Sequence, residues 1–193
     1  MTIIREAKLS DIVYITSLAN KEGHAIGFIP KPAYEAAITG IKTGKRWSLT
    51  CNDKLWIAEE NNDPVGFVLA SFGNIVKVNQ ICIQEDARKI ERGKMLLSVL
   101  TDYAENLGKY NFGCGCADDL ESNFFWKAMG WQFVNQRKGI HFSNTWRESS
   151  KRIVNLYRYH IQPNFFGLSN TSVEPTEGSL GEKTDSLEVG GSR

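Results

Sequence analysis

The stretch from Ile81 to Leu100, ICIQEDARKIERGKMLLSVL, begins with the alternation of a strand and ends with the periodicity of an amphipathic helix. Gly93 is the single glycine of the charged turn between them, and four basic residues surround it: Arg88, Lys89, Arg92 and Lys94. A strand that runs into a helix leaves backbone N–H groups free at the positive end of the helix dipole. Gly93 would let this backbone approach a bulky anion. The junction therefore predicts a phosphate or pyrophosphate site, although a basic turn that only caps the helix fits the loop equally well.

The segments around this junction predict the order of the elements. Two helices follow a first strand, with Ser10 as the expected N-cap of the first helix. Three β segments, separated by the short turns ENNDPVG and FGN, must be antiparallel neighbours. The next helix, which should stop at Gly108, separates two strands and so forms a right-handed parallel crossover. The order βααβββαβαββ predicts an α/β protein with a mixed central sheet of about six or seven strands and flanking helices.

Composition indicates a folded protein of ordinary size. The chain has 193 residues, of which 41% are hydrophobic and 23% are charged, enough for a buried core in one domain. No apolar run approaches the ~20 residues that cross a bilayer, and the first residues lack the apolar segment of a signal peptide. The four cysteines are expected to be reduced core residues: Cys51, Cys82, Cys114 and Cys116. We expect a cytoplasmic protein that uses neither a membrane nor a metal.

The end of the chain differs from the rest in composition. Residues 169–193 contain no aromatic residue and are rich in Ser, Gly, Glu and Thr, which predicts a disordered acidic tail after a folded domain of residues 1–168. The tail holds five of the 22 acidic and two of the 23 basic residues, so the rest has 21 bases against 17 acids, or +4. This positive charge suits an anionic ligand. It is too small to give the pI above ~9 that is typical of nucleic-acid binders.

The segment ARKIERGKMLL resembles the R/Q-x-x-G-x-G/A loop with which the GNAT superfamily of N-acetyltransferases wraps the pyrophosphate of acetyl-coenzyme A. The resemblance runs from Ile3 to about Arg158. It includes the LSD helix start, the VGFV strand and FFWKAMGW, which is similar to the family's F-Y-x-x-x-G-F signature. It implies a GNAT fold and an enzyme that moves an acetyl group from acetyl-CoA, as co-substrate, to a primary amine of a small molecule or protein.

The resemblance also implies which residues bind the cofactor. Backbone amides of the central strand would hold the pantetheine and thioester, the loop would hold the pyrophosphate, and two residues of the last helix would lie beside them. The set is Ile81, Cys82, Ile83, Arg88, Lys89, Ile90, Glu91, Arg92, Gly93, Lys94, Asn123 and Trp126.

Two positions depart from the family pattern. Glu91 stands where the first loop glycine belongs, so it must point away from a pyrophosphate, pair with Arg88 or Lys94, or mark a changed ligand preference. Trp126 stands where many relatives carry a tyrosine general acid, and an indole N–H cannot give up its proton near neutral pH. These departures keep open a non-catalytic acyl-CoA-binding module.

Three residues are candidates for the chemistry. Asp119 matches a position where relatives often carry Asn, and it could act as a base, orient the amine or simply N-cap the next helix. Glu22 and His24 lie in the link between the first two helices, where relatives bind substrate. Imidazole suits a general base, while a lone loop histidine is more often structural or solvated. His141 and His160 have no partner that the sequence identifies.

The last third of the chain leaves a different partner open. Aromatic residues alternate there with six basic ones: Arg137, Lys138, Arg147, Lys151, Arg152 and Arg158. Ordinary packing plus a solvated basic face accounts for this pattern, but so does a nucleic-acid surface. The altered loop and the Phe-Trp pair also resemble phage-type GNAT-like proteins of the Mom branch, which modify adenine in DNA. The chain could be a monomer or a homodimer.

Overall fold

The computed structural model describes residues 1–41, 52–88, 90–138, 141–142, 149–150 and 152–162. Five helices are present in these ranges: α1 (Ile12–Lys21), α2 (Gly23–Ile26), α3 (Lys31–Thr39), α4 (Ile90–Asn106) and α5 (Ser122–Ala128). Two 3-10 turns, Leu9–Asp11 and Glu85–Ala87, precede α1 and α4. Residues 169–193, the expected tail, and Cys51 lie outside the described residues.

Seven strands form one mixed sheet in the order β1-β2-β3-β4-β5-β9-β6. They are β1 (Thr2–Glu6), β2 (Asp53–Glu60), β3 (Asp63–Phe72), β4 (Val76–Ile83), β5 (Asn111–Ala117), β6 (Gln132–Lys138) and β9 (Ile153–His160). A two-stranded ribbon, β7 (His141–Phe142) with β8 (Ser149–Ser150), stands apart from the sheet. The α/β class and mixed sheet are as predicted. The ribbon, and the position of β9 between β5 and β6, were not predicted.

The crossover through α4 joins β4 to β5, the only parallel pair among the described strands of this sheet. This confirms the parallel connection predicted from the helix between two strands. Gly108 ends the helix as predicted, since its φ of 68° is a left-handed conformation that costs glycine little. The amide of Lys109 then donates to the carbonyl of Ala104 at 2.9 Å, which satisfies a carbonyl of the last turn.

The first helix starts differently from the prediction. Ser10 is not the N-cap, because it lies inside the 3-10 turn that begins after Lys8. The carboxylate of Asp11 accepts the backbone N–H of Lys8 at 2.7 Å and is itself held by the guanidinium of Arg5 at 2.8 Å. Asp11 occupies the N-cap position of α1, and its carboxylate closes the preceding 3-10 turn and makes no capping hydrogen bond to α1.

Two apolar cores lie on the two faces of the sheet. One includes Leu96 and Leu100 of α4 with Phe72 and Trp131, and the other includes Ile15 of α1 with Tyr34, Phe67 and Leu69. The sheet is therefore covered on both faces, which explains the long apolar runs in β3.

The sheet opens beside its centre. The register between β3 and β4 shifts there, because Leu69 pairs with Gln80 and Ala70 with Val78, which leaves Asn79 as an extra, bulged residue. The pairing of β4 with β5 covers only Val76–Val78 against residues 112–114. Beyond that point one edge of β4 has no strand partner among the described residues, and a cavity lies between the two strands.

Candidate functional site

The cavity at this opening has a volume of about 750 Å³, within the range of small-molecule sites. Its lining comes from the α1–α2 junction, the last six residues of β4, the start of α4, the end of β5 and α5 with the turn before it. The site thus lies at the carboxyl end of β4, where the crossover turns into α4.

Nine predicted site residues line this one cavity. They are Glu22, His24, Ile81, Cys82, Ile83, Arg88, Gly93, Asp119 and Trp126. Four do not line it: Glu91, Arg92, Lys94 and Asn123. Lys89 lies outside the described residues, and Ile90 is described only as the first residue of α4. The chain therefore brings together residues from sequence positions as far apart as 22 and 126.

An ion pair crosses the cavity between the α1–α2 junction and the loop before α4. Arg88 Nη2 lies 2.7 Å from Glu22 Oε2, and Arg88 Nε donates to the carbonyl of Ile83 at 3.2 Å. The Glu22 side chain is 8% exposed and the Arg88 side chain is 51% exposed. The carboxylate is thus buried against a guanidinium whose remaining N–H groups reach solvent.

A second ion pair lies at the other end of the cavity. Arg152 Nη2 lies 2.5 Å from Asp119 Oδ1, and Arg152 Nη1 donates to the backbone carbonyl of His24 at 2.5 Å. Glu121, not Asp119, is the N-cap residue of α5, and no side chain caps that helix. The capping interpretation of Asp119 is therefore wrong. Sequence reasoning placed Arg152 among the late basic residues and missed its position here, because nothing local relates it to a residue 128 positions away.

Asn123 and Arg92 have their polar groups turned into the protein. The Asn123 amide donates to the carbonyls of Ala117 and Leu120 at 2.7 Å, and its oxygen accepts from Asn155 Nδ2 at 2.8 Å and the Tyr157 hydroxyl at 2.9 Å. Asn123 thus ties the end of β5 and α5 to β9.

Arg92 fastens the loop to the sheet. Its guanidinium donates to the carbonyl of Ala87 at 2.6 Å and pairs with Glu60 of β2. Its side chain is buried, in contrast to that of Arg88. Glu91 and Lys94 are exposed on the surface of α4. The departure at Glu91 is thus accommodated by pointing away from the cavity.

Gly93 has an aromatic neighbour. A Cβ added to it would lie 2.7 Å from Cε2 of the Phe125 ring. The absence of a side chain therefore allows α5 to pack against the first turn of α4, a role that the anion interpretation did not foresee. Trp126 is buried beside this ring, with its own ring centroid 4.8 Å from that of Trp131.

Two buried thiols line the cavity, one near each ion pair. The pKa of Cys82 is raised to about 12, mainly by burial and also by the Glu22 carboxylate, while Arg88 acts in the opposite direction. Burial also raises the pKa of Cys116, whose Sγ lies 3.2 Å from the Ser122 hydroxyl. Both are free thiols, as is Cys114.

The late basic residues have different surroundings. Arg137 and Lys138 are exposed on β6. Arg152 forms an ion pair with Asp119, and the Arg158 guanidinium lies over Gly113 of β5. Arg147 and Lys151 are outside the described residues, so the nucleic-acid surface stays a prediction. Among the aromatic residues, Trp131 belongs to the core as expected.

Two features are absent from the described ranges. These ranges contain no cluster of three His, Cys, Asp or Glu side chains able to hold a metal ion. No helix within them is long and apolar enough to span a bilayer.

Residues 41–131 match the model of the acetyltransferase (GNAT) family. GNAT is thus the family that this central part of the chain matches. This match contains β2 to β5, α4, α5 and the loop with Arg88, so it covers most of the cavity. None of the curated protein sequences matches the chain significantly.

Solved structures of GNAT enzymes have the same fold. Arabidopsis thaliana NAA60 in complex with a bisubstrate analogue is 13% identical with a TM-score of 0.68, over 83% of this chain and 98% of that one. The Escherichia coli ribosomal-protein-S18-alanine N-acetyltransferase is 13% identical with a TM-score of 0.64, over 88% and 99%. The putative acetyltransferase yncA from Salmonella typhimurium, with its cofactor acetyl-CoA, is 17% identical with a TM-score of 0.64, over 84% and 95%. At these identities the likeness shows the fold.

Trp126, where the sequence departs from the GNAT pattern, is buried and lines the cavity. An indole N–H does not give up its proton at neutral pH, so Trp126 cannot act as a general acid.

Proposed function

We propose that this protein transfers the acetyl group of acetyl-CoA to a primary amine on a small molecule or a protein. The observation that carries the proposal is the cavity between the parted strands β4 and β5, which ends at the start of α4 beside Arg88. A helix start and an arginine suit a pyrophosphate, and a free strand edge suits a chain of amides.

The phosphate end of the cofactor would be held by the loop before α4. Arg88 is the one Lys or Arg of the described residues that lines the cavity. Its guanidinium is half exposed and keeps N–H groups beyond those bound to Glu22 and Ile83. The first turn of α4 adds backbone N–H groups that have no hydrogen-bond acceptor within that helix.

The pantetheine arm would lie along the free edge of β4. The segment from Ile81 to Ile83 lines the cavity, and on the side of β5 it has no strand partner within the described ranges. Leu120, Phe125 and Trp126 provide apolar surface opposite this edge. When bound, acetyl-CoA supplies an acyl group activated as a thioester.

His24 is the best candidate for accepting a proton from the amine. Its imidazole lines the cavity and has no hydrogen-bond partner among the described residues. The carboxylates of Glu22 and Asp119, the other predicted catalytic groups, are each held by an arginine. Imidazole is also the most common general base in enzymes.

Calorimetric titration with acetyl-CoA and with CoA tests the binding part of this proposal. We expect both to bind, and absence of binding to either at millimolar concentrations contradicts it. Release of free CoA thiol across a panel of amines and peptides tests the transfer. CoA binding without turnover of any amine would instead favour a non-catalytic acyl-CoA-binding module, which the buried Trp126 keeps as the second candidate.

A further inference from the structure

The pair formed by Glu22 and Arg88 connects two parts of the site that have different tasks. Glu22 ends α1 at the junction with α2, whereas Arg88 belongs to the loop that precedes α4. Their closest atoms are 2.7 Å apart, and the Glu22 side chain is only 8% exposed. The sequence pattern did not predict a contact between these two residues. It placed Glu22 among the catalytic candidates and Arg88 among the cofactor-binding residues.

The Arg88 guanidinium is held at two points. Its Nε donates to the carbonyl of Ile83 and its Nη2 contacts Glu22, so the plane of the group is defined. An arginine has five N–H donors in that plane, and the remaining donors of Arg88 lie on its exposed half. A held guanidinium loses less conformational entropy on binding an anion than a free one does.

We infer that Glu22 is a positioning residue that presents Arg88 to the pyrophosphate of the cofactor, and is not the base that takes the amine proton. The inference rests on the proposed acetyl-CoA site. Arg92 supports it by contrast, because its guanidinium is turned inward to Ala87 and Glu60 and leaves the anion to Arg88. The buried Glu22 carboxylate is already paired with the Arg88 guanidinium, as expected for a group that orients that arginine.

The sign of one measurement separates positioning from simple electrostatics. If Glu22 acts only through its charge, removing that charge from the anion site must tighten the binding of CoA. If Glu22 holds Arg88, removing it must weaken the binding although the site becomes more positive.

The test is the affinity of purified variants for CoA and for pantetheine, which lacks the pyrophosphate, measured by calorimetry. Glu22→Ala should weaken CoA binding about threefold to tenfold, the factor for ordering one long side chain, and leave pantetheine binding unchanged. Glu22→Gln keeps an oxygen for Arg88 and should lose less. Glu121→Gln removes a carboxylate from the same cavity without an arginine partner among the described residues, and it should not weaken CoA binding.

A double-mutant cycle completes the test. Once Arg88 is replaced in Arg88→Ala, adding Glu22→Ala should cause no further loss of CoA affinity. Thermal unfolding of each variant shows that it is folded, and Glu22→Gln serves if Glu22→Ala is not.

Three results would overturn the inference: equal or tighter CoA binding by the Glu22 variants, a parallel loss for CoA and pantetheine, or additive losses in the cycle. A Glu22→Gln variant with unchanged CoA affinity and a reduced kcat would make Glu22 the base instead. Failure of the unmodified protein to bind CoA is a separate result, which removes the proposed function together with this inference.

Discussion

The two arginine–carboxylate pairs of the cavity have the same chemistry and different surroundings. Arg88 holds a carboxylate that is 8% exposed, whereas Arg152 holds one that is 61% exposed. The arginines show the reverse order, because Arg88 is 51% exposed and Arg152 only 20%. At one end the acid is buried and the base reaches solvent, and at the other end the base is enclosed and the acid reaches solvent.

This difference determines what each pair contributes. A buried carboxylate without its cation keeps the cost of desolvation, so Glu22 depends on Arg88. An exposed carboxylate is solvated whether or not it is paired, so Asp119 depends little on Arg152. We therefore expect the Glu22–Arg88 pair to contribute to the stability of the fold and the Asp119–Arg152 pair to contribute little.

The largest effect is expected from Arg88→Met, which leaves Glu22 buried without a cation. The free energy of unfolding should fall by about 3 kcal/mol, measured by urea denaturation. The double variant Arg88→Met with Glu22→Met should recover most of this loss, because no charge is then buried. Equal losses in the single and double variants would mean that the pair does not matter for stability.

Asn123→Ala should have the next largest effect, because Asn123 rather than Arg152 ties the end of β5 and α5 to β9. The substitution removes the partner of the buried Tyr157 hydroxyl and of two carbonyls, at a cost of about 2 kcal/mol. Thermal and urea unfolding measure it. Phe124→Ala changes an exposed residue of the same helix and is the matched control. A loss no larger than that of the control contradicts the assignment.

Alkaline pH tests the surroundings of the buried pair through Cys82. The folded-state pKa of about 12 lies above the ordinary value of 9.0, so the unfolded chain loses this proton first. Stability is thus unaffected below pH 9 and decreases as the pH rises from 9 towards 12, by about 1 kcal/mol at pH 10 from this thiol. The slope of unfolding free energy against pH should be shallower in Cys82→Ala than in the unmodified protein. Equal slopes would show that the thiol is not desolvated.

Arg152→Ala should have the smallest effect on stability, about 0.5 kcal/mol, because its partner is exposed. Urea unfolding at low and at high salt measures it, and the difference from the unmodified protein should shrink as salt rises. A loss as large as that of Arg88→Met would remove the distinction between the two pairs.

The fold was predictable from local patterns. Alternation, helical periodicity and short turns define β2 to β4 as antiparallel neighbours and α4 as a crossover, because few topologies fit such connections. Gly108 ends α4 for a reason that lies within a few residues of the chain. The structure places the three catalytic candidates and Arg88 around one cavity, while their roles stay predictions.

Other features depended on contacts between distant segments. The bulge at Asn79 and the parting of β4 from β5 arise from pairing on both sides of β4 at once, and they create the cavity. The insertion of β9 between β5 and β6 brings Arg152 to Asp119. No local pattern encodes such a contact, since it exists only when the whole sheet is assembled.

The sequence by itself determined that two arginines, Arg88 and Arg92, lie at the junction between a strand and a helix. Only the tertiary structure decided which of them lines the cavity. Arg88 precedes the helix with an extended backbone and reaches Glu22 at the cavity. Arg92 lies within the first turn of α4, on the side that packs against the sheet, and therefore meets Glu60. Helical geometry gives neighbouring side chains different directions, and the packed sheet supplies a different partner in each direction.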